Sequence, residues 1–181
     1  SLSNPAPVIE WQKCYGGTAV DIANSVGQSS DGGYIVGGKS VSNDGDVTGH
    51  HGDLFTPDCW VVKTQPTGEI EWTKSYGGSG EDELFDIQQT SDGGYFFAGL
   101  TASNDGDVSN YHDFYDVWCV KISNQGIIQW EKAFGGSEYD AAYDAQETAD
   151  GGFIVVGEAG SDDGDVTVHK GENDYWVIKL D

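Results

Sequence analysis

The sequence predicts an all-β protein built from three copies of one four-stranded unit. The copies are marked by tryptophans that recur after 61 and 58 residues: Trp11, Trp72 and Trp130. Each copy also carries an Asp-Gly pair between two apolar runs, which is a strong signal for a β-hairpin. No apolar pattern with a helical period extends beyond a turn or two. Repetition of this kind is typical of propellers and other repeat architectures.

The repeats divide a single domain, residues 1–181, into three similar parts. They cover approximately 16–76, 77–134, and 135–181 together with 8–15. Each part is predicted to hold four strands. In the central copy these strands are 84–90, 95–101, 117–122 and 127–133.

The burial pattern of the strands favours four-stranded propeller blades. The second and third strands of a repeat are nearly continuous apolar runs, such as 153–156, which predicts that both of their faces are covered. The fourth strand alternates instead, with Ile70 and Trp72 on one face and Glu71 on the other. Two covered middle strands and an exposed outer strand are typical of a propeller blade. A β-trefoil is the alternative, although its three repeats are usually shorter.

The two ends of the chain carry complementary parts of one blade. The chain begins with a fourth strand, 8–15, and ends with a third strand, 175–180. We expect the N-terminal strand to complete the last blade, because an unpaired edge invites association. Completion within one chain and between chains both stay open. Propellers have about 4–8 blades, so we favour a homodimer of six blades.

Composition excludes several classes of partner. The 8 Lys and Arg residues face 31 Asp and Glu residues, for a net charge of -23, which repels nucleic acid. No apolar run approaches the roughly 20 residues of a membrane span, so we expect no membrane insertion. The absence of Met predicts a processed or trimmed product. Cys14, Cys59 and Cys119 occupy non-equivalent repeat positions, and we expect buried thiols without an intrachain disulfide.

Acidic triplets in the loop between the second and third strands are the candidate metal ligands. Each triplet places two aspartates around a glycine: Asp44 and Asp46, Asp105 and Asp107, Asp163 and Asp165. Calcium takes six to eight oxygen ligands, and two close carboxylates favour a cation. The alternative is that these aspartates cap turns by accepting backbone N–H groups. Both interpretations stay open, and further acids recur nearby: Asp21, Asp82 and Asp140, and Asp58, Asp116 and Asp174.

Aromatic residues and histidines share these loops. The candidate ligand-binding residues are Phe55, Tyr111, Phe114 and Tyr115, whose rings are suited to stacking on a sugar or anchoring a protein. The alternative is that the rings pack beneath their loops. The four histidines lack the spacing of a metal site, and we predict that they are solvated: His50, His51, His112 and His169.

Three motifs resemble a known class of repeat: Tyr76-Gly77-Gly78-Ser79, Asp92-Gly93-Gly94-Tyr95 and Asp116-Val117-Trp118. They are similar to β-propeller repeats of large secreted and cell-surface bacterial proteins of the Bacteroidetes type. The resemblance covers almost all of residues 8–181. It implies a propeller, an extracellular or cell-surface location, and a binding or scaffolding role without catalytic residues.

These observations predict a non-enzymatic, secreted binding or scaffolding module. Its acidic and aromatic loop face would take a glycan or a protein partner, with calcium as a cofactor if the triplets bind metal. Chemistry that is repeated three times argues for repeated binding rather than a single active site. The alternative is a structural subunit that assembles by strand donation into a closed oligomer or a filament.

The calcium hypothesis predicts a metal-dependent stability. Free calcium at 100 times its dissociation constant would add about 2.7 kcal/mol per independent site. Replacement of the second aspartate of each triplet should remove part of this gain, as in Asp46→Asn, Asp107→Asn or Asp165→Asn. The measurement is thermal unfolding in chelator and in millimolar calcium. Identical melting curves would leave turn capping as the role of the triplets.

Overall fold

The computed structural model describes residues 6–181, in which the chain forms strands and loops. Eleven strands form three antiparallel sheets. The first sheet has the order β1 (Asp21–Gln28), β2 (Tyr34–Ser40), β3 (Asp58–Thr64) and β4 (Ile70–Tyr76). The second has the order β5 (Asp82–Gln89), β6 (Tyr95–Thr101), β7 (Asp116–Ile122) and β8 (Ile128–Phe134). The third has β9 (Asp140–Glu147), β10 (Phe153–Ala159) and β11 (Asp174–Leu180), with β10 in the centre. The all-β prediction is therefore confirmed, and residues 6–181 contain no helix that could cross a membrane.

The strands begin and end where local sequence signals place them. The four strands predicted for the central copy agree with β5 to β8 within two residues. The hairpin between β5 and β6 depends on Gly93, whose φ of 84° lies in the left-handed region that glycine adopts readily. Asp92 Oδ1 accepts the N–H of Gly94 at 3.0 Å and fixes the same turn.

The middle sheet forms the centre of the core. Every residue of β6 and β7 is buried, as is every residue of β3 in the first sheet. Phe97 and Trp118 pack edge to face across the middle sheet, with ring centroids 5.8 Å apart. The prediction that the second and third strands are covered on both faces is confirmed for this sheet.

Each fourth strand also packs against the following sheet. The ring of Trp72 in β4 lies 6.2 Å from the ring of Tyr95 in β6. The ring of Trp130 in β8 lies 5.8 Å from that of Phe153 in β10. These two tryptophans therefore pack between neighbouring repeats.

The segment 8–15, predicted as a strand, is not part of any sheet. The third sheet has three strands, and within residues 6–181 no strand pairs with the outer edge of β11. Residues 8–15 instead lie beside the first sheet, where the Trp11 ring is 5.8 Å from that of Tyr34. Completion of the last sheet by this segment therefore stays a prediction.

The three thiols are free, and they differ in exposure. Burial raises the pKa of Cys119 to about 12 and also raises the pKa of Cys59. Both side chains pack as small apolar groups in the core, where their neutral form is stable. Cys14 is exposed on the segment that precedes the first sheet, so the prediction of a buried thiol is wrong for this residue.

Close approach of two strands at Gly99 gives a test of the packing. A Cβ atom at Gly99 would lie 1.8 Å from the carbonyl oxygen of Glu83 in the neighbouring strand. We expect Gly99→Ala to lower the free energy of unfolding by about 2–4 kcal/mol, because backbone must move. Thermal unfolding checks this against Gly171→Ala, where no atom lies within 4 Å of the added methyl group. Equal stability of the two variants would contradict the described approach of β5 and β6.

Candidate functional site

The candidate site is the set of loops at one end of the sheets. Residues 41–57, 102–115 and 160–173 connect the second and third strands of each sheet. Residues 16–20, 77–81 and 135–139 precede each first strand and contact those longer loops. We call this set the loop face.

The first aspartate of each acidic triplet holds two loops together. Its Oδ1 accepts a backbone N–H from the loop that precedes the first strand. The three equivalent bonds join Asp44 to Thr18 (2.8 Å), Asp105 to Ser79 (2.7 Å) and Asp163 to Ser137 (2.8 Å). Such bonds satisfy donors that have no partner in a strand, so they stabilise the loops.

The second aspartate of the triplet differs between the copies. Asp46 accepts the N–H of Gly16 at 3.2 Å, and Asp107 accepts that of Gly77 at 3.4 Å. Asp165 is directed toward His112, whose Nε2 lies 3.8 Å from Asp165 Oδ2. Five of the six predicted calcium ligands therefore accept backbone hydrogen bonds.

These bonds give the triplets a structural role that the sequence left open. Within residues 6–181, no group of three or more His, Cys, Asp or Glu side chains is arranged to hold a metal ion. Calcium binding by the triplets stays a prediction.

The glycine between the aspartates is required by the closeness of the two loops. Gly106 has a φ of 66°, and a Cβ atom there would lie 2.3 Å from the carbonyl oxygen of Gly77. The same carbonyl accepts the N–H of Asp107 at 2.8 Å. Glycine is therefore required between the two aspartates, because a side chain at this position would block the backbone contact between the loops.

A second layer of aspartates lies buried beneath the loop face. Asp82 Oδ2 accepts the N–H of Gly78 at 2.8 Å and the hydroxyl of Ser103 at 2.7 Å, while Oδ1 accepts the hydroxyl of Thr101. Burial nevertheless raises the pKa of Asp82 to about 6, because the charged carboxylate has lost its hydration. Asp140 makes the equivalent bonds to Gly136 and Ser161.

Histidines contact the aspartates that begin the third strands. Asp58 Oδ2 accepts the N–H of His51 at 2.8 Å and lies 2.9 Å from His51 Nδ1. Asp116 has the same two contacts with His112, at 2.7 and 3.0 Å. The prediction of solvated histidines is wrong for His50, whose side chain is buried 3.5 Å from Asp58.

The same histidines reach the next repeat. His51 Nε2 lies 4.0 Å from Asp107 Oδ2, as His112 Nε2 lies near Asp165. Each junction between sheets therefore has an acid, a histidine and a second acid in a row. The second carboxylate oxygens, Asp58 Oδ1 and Asp116 Oδ1, are buried and accept no hydrogen bond from residues 6–181. Burial raises the pKa of both carboxyl groups for the same reason as at Asp82.

The aromatic candidates are divided between two neighbouring patches. Phe114 and Tyr115 pack edge to face with ring centroids 4.9 Å apart, and Tyr139 from the next repeat lies 5.5 Å from Tyr115. We call Phe114, Tyr115 and Tyr139 the aromatic cluster. Phe55 lies in the other patch with Leu54.

Local structure holds Phe114 in an outward position. Its φ of 54° is rare for a bulky residue, and its side chain is 53% exposed. Asp113 Oδ1 accepts its N–H at 2.9 Å, and its carbonyl accepts the hydroxyl of Tyr111 at 3.0 Å. Tyr111 itself packs against the core, so it supports the loop rather than presenting a ring. Unfavourable backbone angles that surrounding contacts maintain are often found at functional sites.

The second patch surrounds an open groove at the preceding junction. Phe55 is 84% exposed and lines this groove with Leu54, Val20 and Glu81. Glu81 links the two patches, because its Oε2 accepts the hydroxyl of Tyr115 at 2.7 Å. That bond raises the pKa of Tyr115 to about 12.

The sequence alone did not identify Tyr139 and Glu81 as members of the site. They occupy equivalent positions, one residue before Asp140 and Asp82, so a repeat alignment provides a signal. Tyr139, however, contacts Tyr115 of the preceding repeat, and Glu81 lines the groove with Phe55 of the repeat before its own. Only the packing of neighbouring sheets brings the two parts together.

The buried carboxyl groups predict a stability that increases on mild acidification. Asp82, Asp58 and Asp116 bind protons more tightly in the folded state, so the free energy of unfolding falls as pH rises from about 4 to 6. For Asp82 the shift corresponds to roughly 3 kcal/mol. Asp92 has the opposite sign: bonds from Thr90 and Lys121 lower its pKa to about 2, so its contribution is lost below pH 4. The melting temperature should therefore rise from pH 7 to pH 5 and fall below pH 3.

Asp82→Asn tests the largest part of this dependence. The amide is a neutral analogue of the protonated carboxyl group, so we expect a flatter profile between pH 5 and 7. Asp162→Asn is the matched control, because it removes an equal charge from an exposed loop position. If the melting temperatures of the two variants change equally between pH 5 and 7, the pH dependence does not arise from the buried Asp82.

Comparison with known proteins assigns no family to this arrangement. The sequence matches no protein-family model, and no curated protein is similar to it at a significant level. Function is therefore inferred from the residues of the loop face and not from relatives.

Proposed function

We propose that the chain is a non-enzymatic binding module of the β-propeller type whose loop face takes carbohydrate outside the cell. The observation that carries this proposal is the aromatic cluster of Phe114, Tyr115 and Tyr139. Three rings from two repeats lie together at the surface, and one is kept exposed by an unfavourable backbone angle. Exposed aromatic residues on a supported loop are typical of binding surfaces.

The chemistry of the cluster matches a sugar. A sugar ring has apolar C–H faces and hydroxyl groups around its edge, so it suits flat rings beside hydrogen-bond acceptors. Glu81 provides a carboxylate next to Tyr115, and Glu158 accepts the hydroxyl of Tyr143 behind Tyr139. A net charge of -23 disfavours anionic ligands, which supports a neutral or cationic glycan.

The separate sheets support the propeller part of the proposal. Each sheet is a consecutive antiparallel meander, and β5 and β9 pack against the sheets that precede them. This is the relation between neighbouring blades. The repeated aspartates accept backbone N–H groups, which supports a structural rather than a catalytic role for these residues.

A second candidate function is a structural subunit that assembles by strand donation. The observation that favours it is the outer edge of β11, which no strand covers within residues 6–181. Carbohydrate binding and assembly use different surfaces, so they are compatible.

Phe114→Ala tests the carbohydrate proposal. An array of soluble oligosaccharides identifies the probe, and calorimetry then measures its affinity. We expect Phe114→Ala to weaken binding by about tenfold or more, because a central aromatic residue commonly contributes over 1 kcal/mol.

The matched control is Glu172→Ala, the equivalent position in the third repeat, which is exposed and carries no aromatic ring. It should bind as the unmodified chain does. Equal losses in both variants, or an array without any bound sugar, would contradict the proposal. In the latter case a protein partner becomes the ligand to test.

A further inference from the structure

The third strand of the last sheet is exposed where its equivalents are buried. β3 and β7 are buried at every position, whereas exposure alternates along β11. Tyr175 is 97% exposed and Val177 is 60% exposed, although their equivalents in β7, Val117 and Cys119, are fully covered. The sequence of β11 is thus that of an internal strand. Its edge and one of its faces lack the neighbours that cover the other two sheets.

The opposite end of the molecule exposes a matching surface. Val26 in β1 is 67% exposed, while its equivalent in β5, Ile87, is buried against the first sheet. In the first sheet, Gly37 leaves room for Leu84 and Ile87 of the next sheet. The equivalent of Gly37 in the last sheet is the larger Val156. In β1 of the first sheet, the smaller Ala23 occupies the position that Leu84 has in β5. The two free ends are therefore complementary in size.

The N-terminal segment already lies in the position of a fourth strand. Trp11 contacts Tyr34 as Trp72 contacts Tyr95, with ring centroids 5.8 and 6.2 Å apart. Tyr15 donates its hydroxyl to the Gly68 carbonyl at 2.6 Å. This bond is equivalent to that from Tyr76 to the Gly126 carbonyl at 2.8 Å.

A fourth strand normally makes two sets of contacts. β4 pairs with β3 of its own sheet and packs Trp72 on the following sheet. Residues 8–15 make the second set, on the first sheet of their own chain. They lack the first set, which is pairing with a third strand that precedes them.

We propose that residues 8–15 of a second copy of this chain pair with β11, and that two such contacts close a ring of two copies. The donated segment would stay packed on its own first sheet, so each contact joins the last sheet of one copy to the first sheet of the other. Strand addition to an open edge is an established mode of association. Two copies of three blades give six, within the range of known propellers.

The register of the pairing follows from the other two sheets. Val61 lies opposite Lys74, and Cys119 lies opposite Lys132. The equivalent pair between copies is Val177 and Lys13. In the same register Lys179 approaches Glu10, as Lys63 Nζ approaches Glu71 Oε2 at 3.0 Å.

Disulfide trapping tests the contact in a Cys14→Ser background. Residues directly opposite in antiparallel strands have Cα atoms about 4.5–5.5 Å apart, which a disulfide can bridge. One chain carries Lys13→Cys and the other carries Val177→Cys. We expect mixing under mild oxidation to give a disulfide-linked pair of chains. Light scattering of the unmodified chain should give twice its mass of 19.4 kDa.

The control replaces Val177→Cys by Val168→Cys, which is similarly exposed but lies in a loop. It should form far less disulfide. A monomer, a polymer series, equal trapping in the control, or a disulfide within a single chain carrying both cysteines would each overturn the proposal.

A charge exchange provides a second test that does not depend on oxidation. Glu10→Lys should weaken the dimer by on the order of tenfold, because it places two cations together at a partly buried contact. Adding Lys179→Glu in the same chain should restore it. Equal dimer stability in the unmodified chain, the single variant and the double variant would overturn this register.

Discussion

The shared fourth strand is the constraint on which the rest of this structure depends. β4 completes the first sheet by pairing with β3, and it also packs Trp72 against the second sheet. β8 has the same two roles in the second and third sheets. Each sheet is therefore stabilised by its neighbour, as in other repeat proteins. β3 and β7 are buried where both this strand and the sheet that it joins are present, and β11 is exposed where residues 6–181 provide neither.

The excess of acids is accommodated by local neutralisation and by hydrogen bonds. Lys63 and Lys121 are buried in strands, where they meet Asp31 and Asp92 at 2.8 and 2.9 Å. Both lysines lie opposite the loop face, and within residues 6–181 no lysine forms an ion pair with an acid of that face. Acids of the face accept backbone N–H groups instead, as Asp44 does from Thr18, and Asp58 at the start of β3 accepts the N–H of His51. A carboxylate with such donors keeps part of the stabilisation that water would give it.

Much of the fold follows from short-range signals. The Asp-Gly hairpins and the strands of the central repeat could be predicted because they depend on turn residues and on period-two or continuous apolar patterns. The segment 8–15 carries the same pattern, yet it forms no strand in the described residues, because pairing requires a partner that the pattern does not provide. The contact of Phe114 with Tyr139 and that of His51 with Asp107 could not be predicted from the sequence either. Both join residues of different repeats, and their geometry is set by how neighbouring sheets pack.

The aromatic cluster and the proposed assembly are connected by the geometry of the junctions. Both aromatic patches lie where one sheet meets the next, at Phe55 and at Phe114. The junction that a second copy would form has Glu172 and Asn173 in the corresponding loop, so it adds no aromatic ring. A ring of two copies would then carry the two patches twice on one face. Because linked sites raise the effective concentration of a repeated ligand, a weak sugar contact at each patch would suffice for strong attachment to a polymeric glycan.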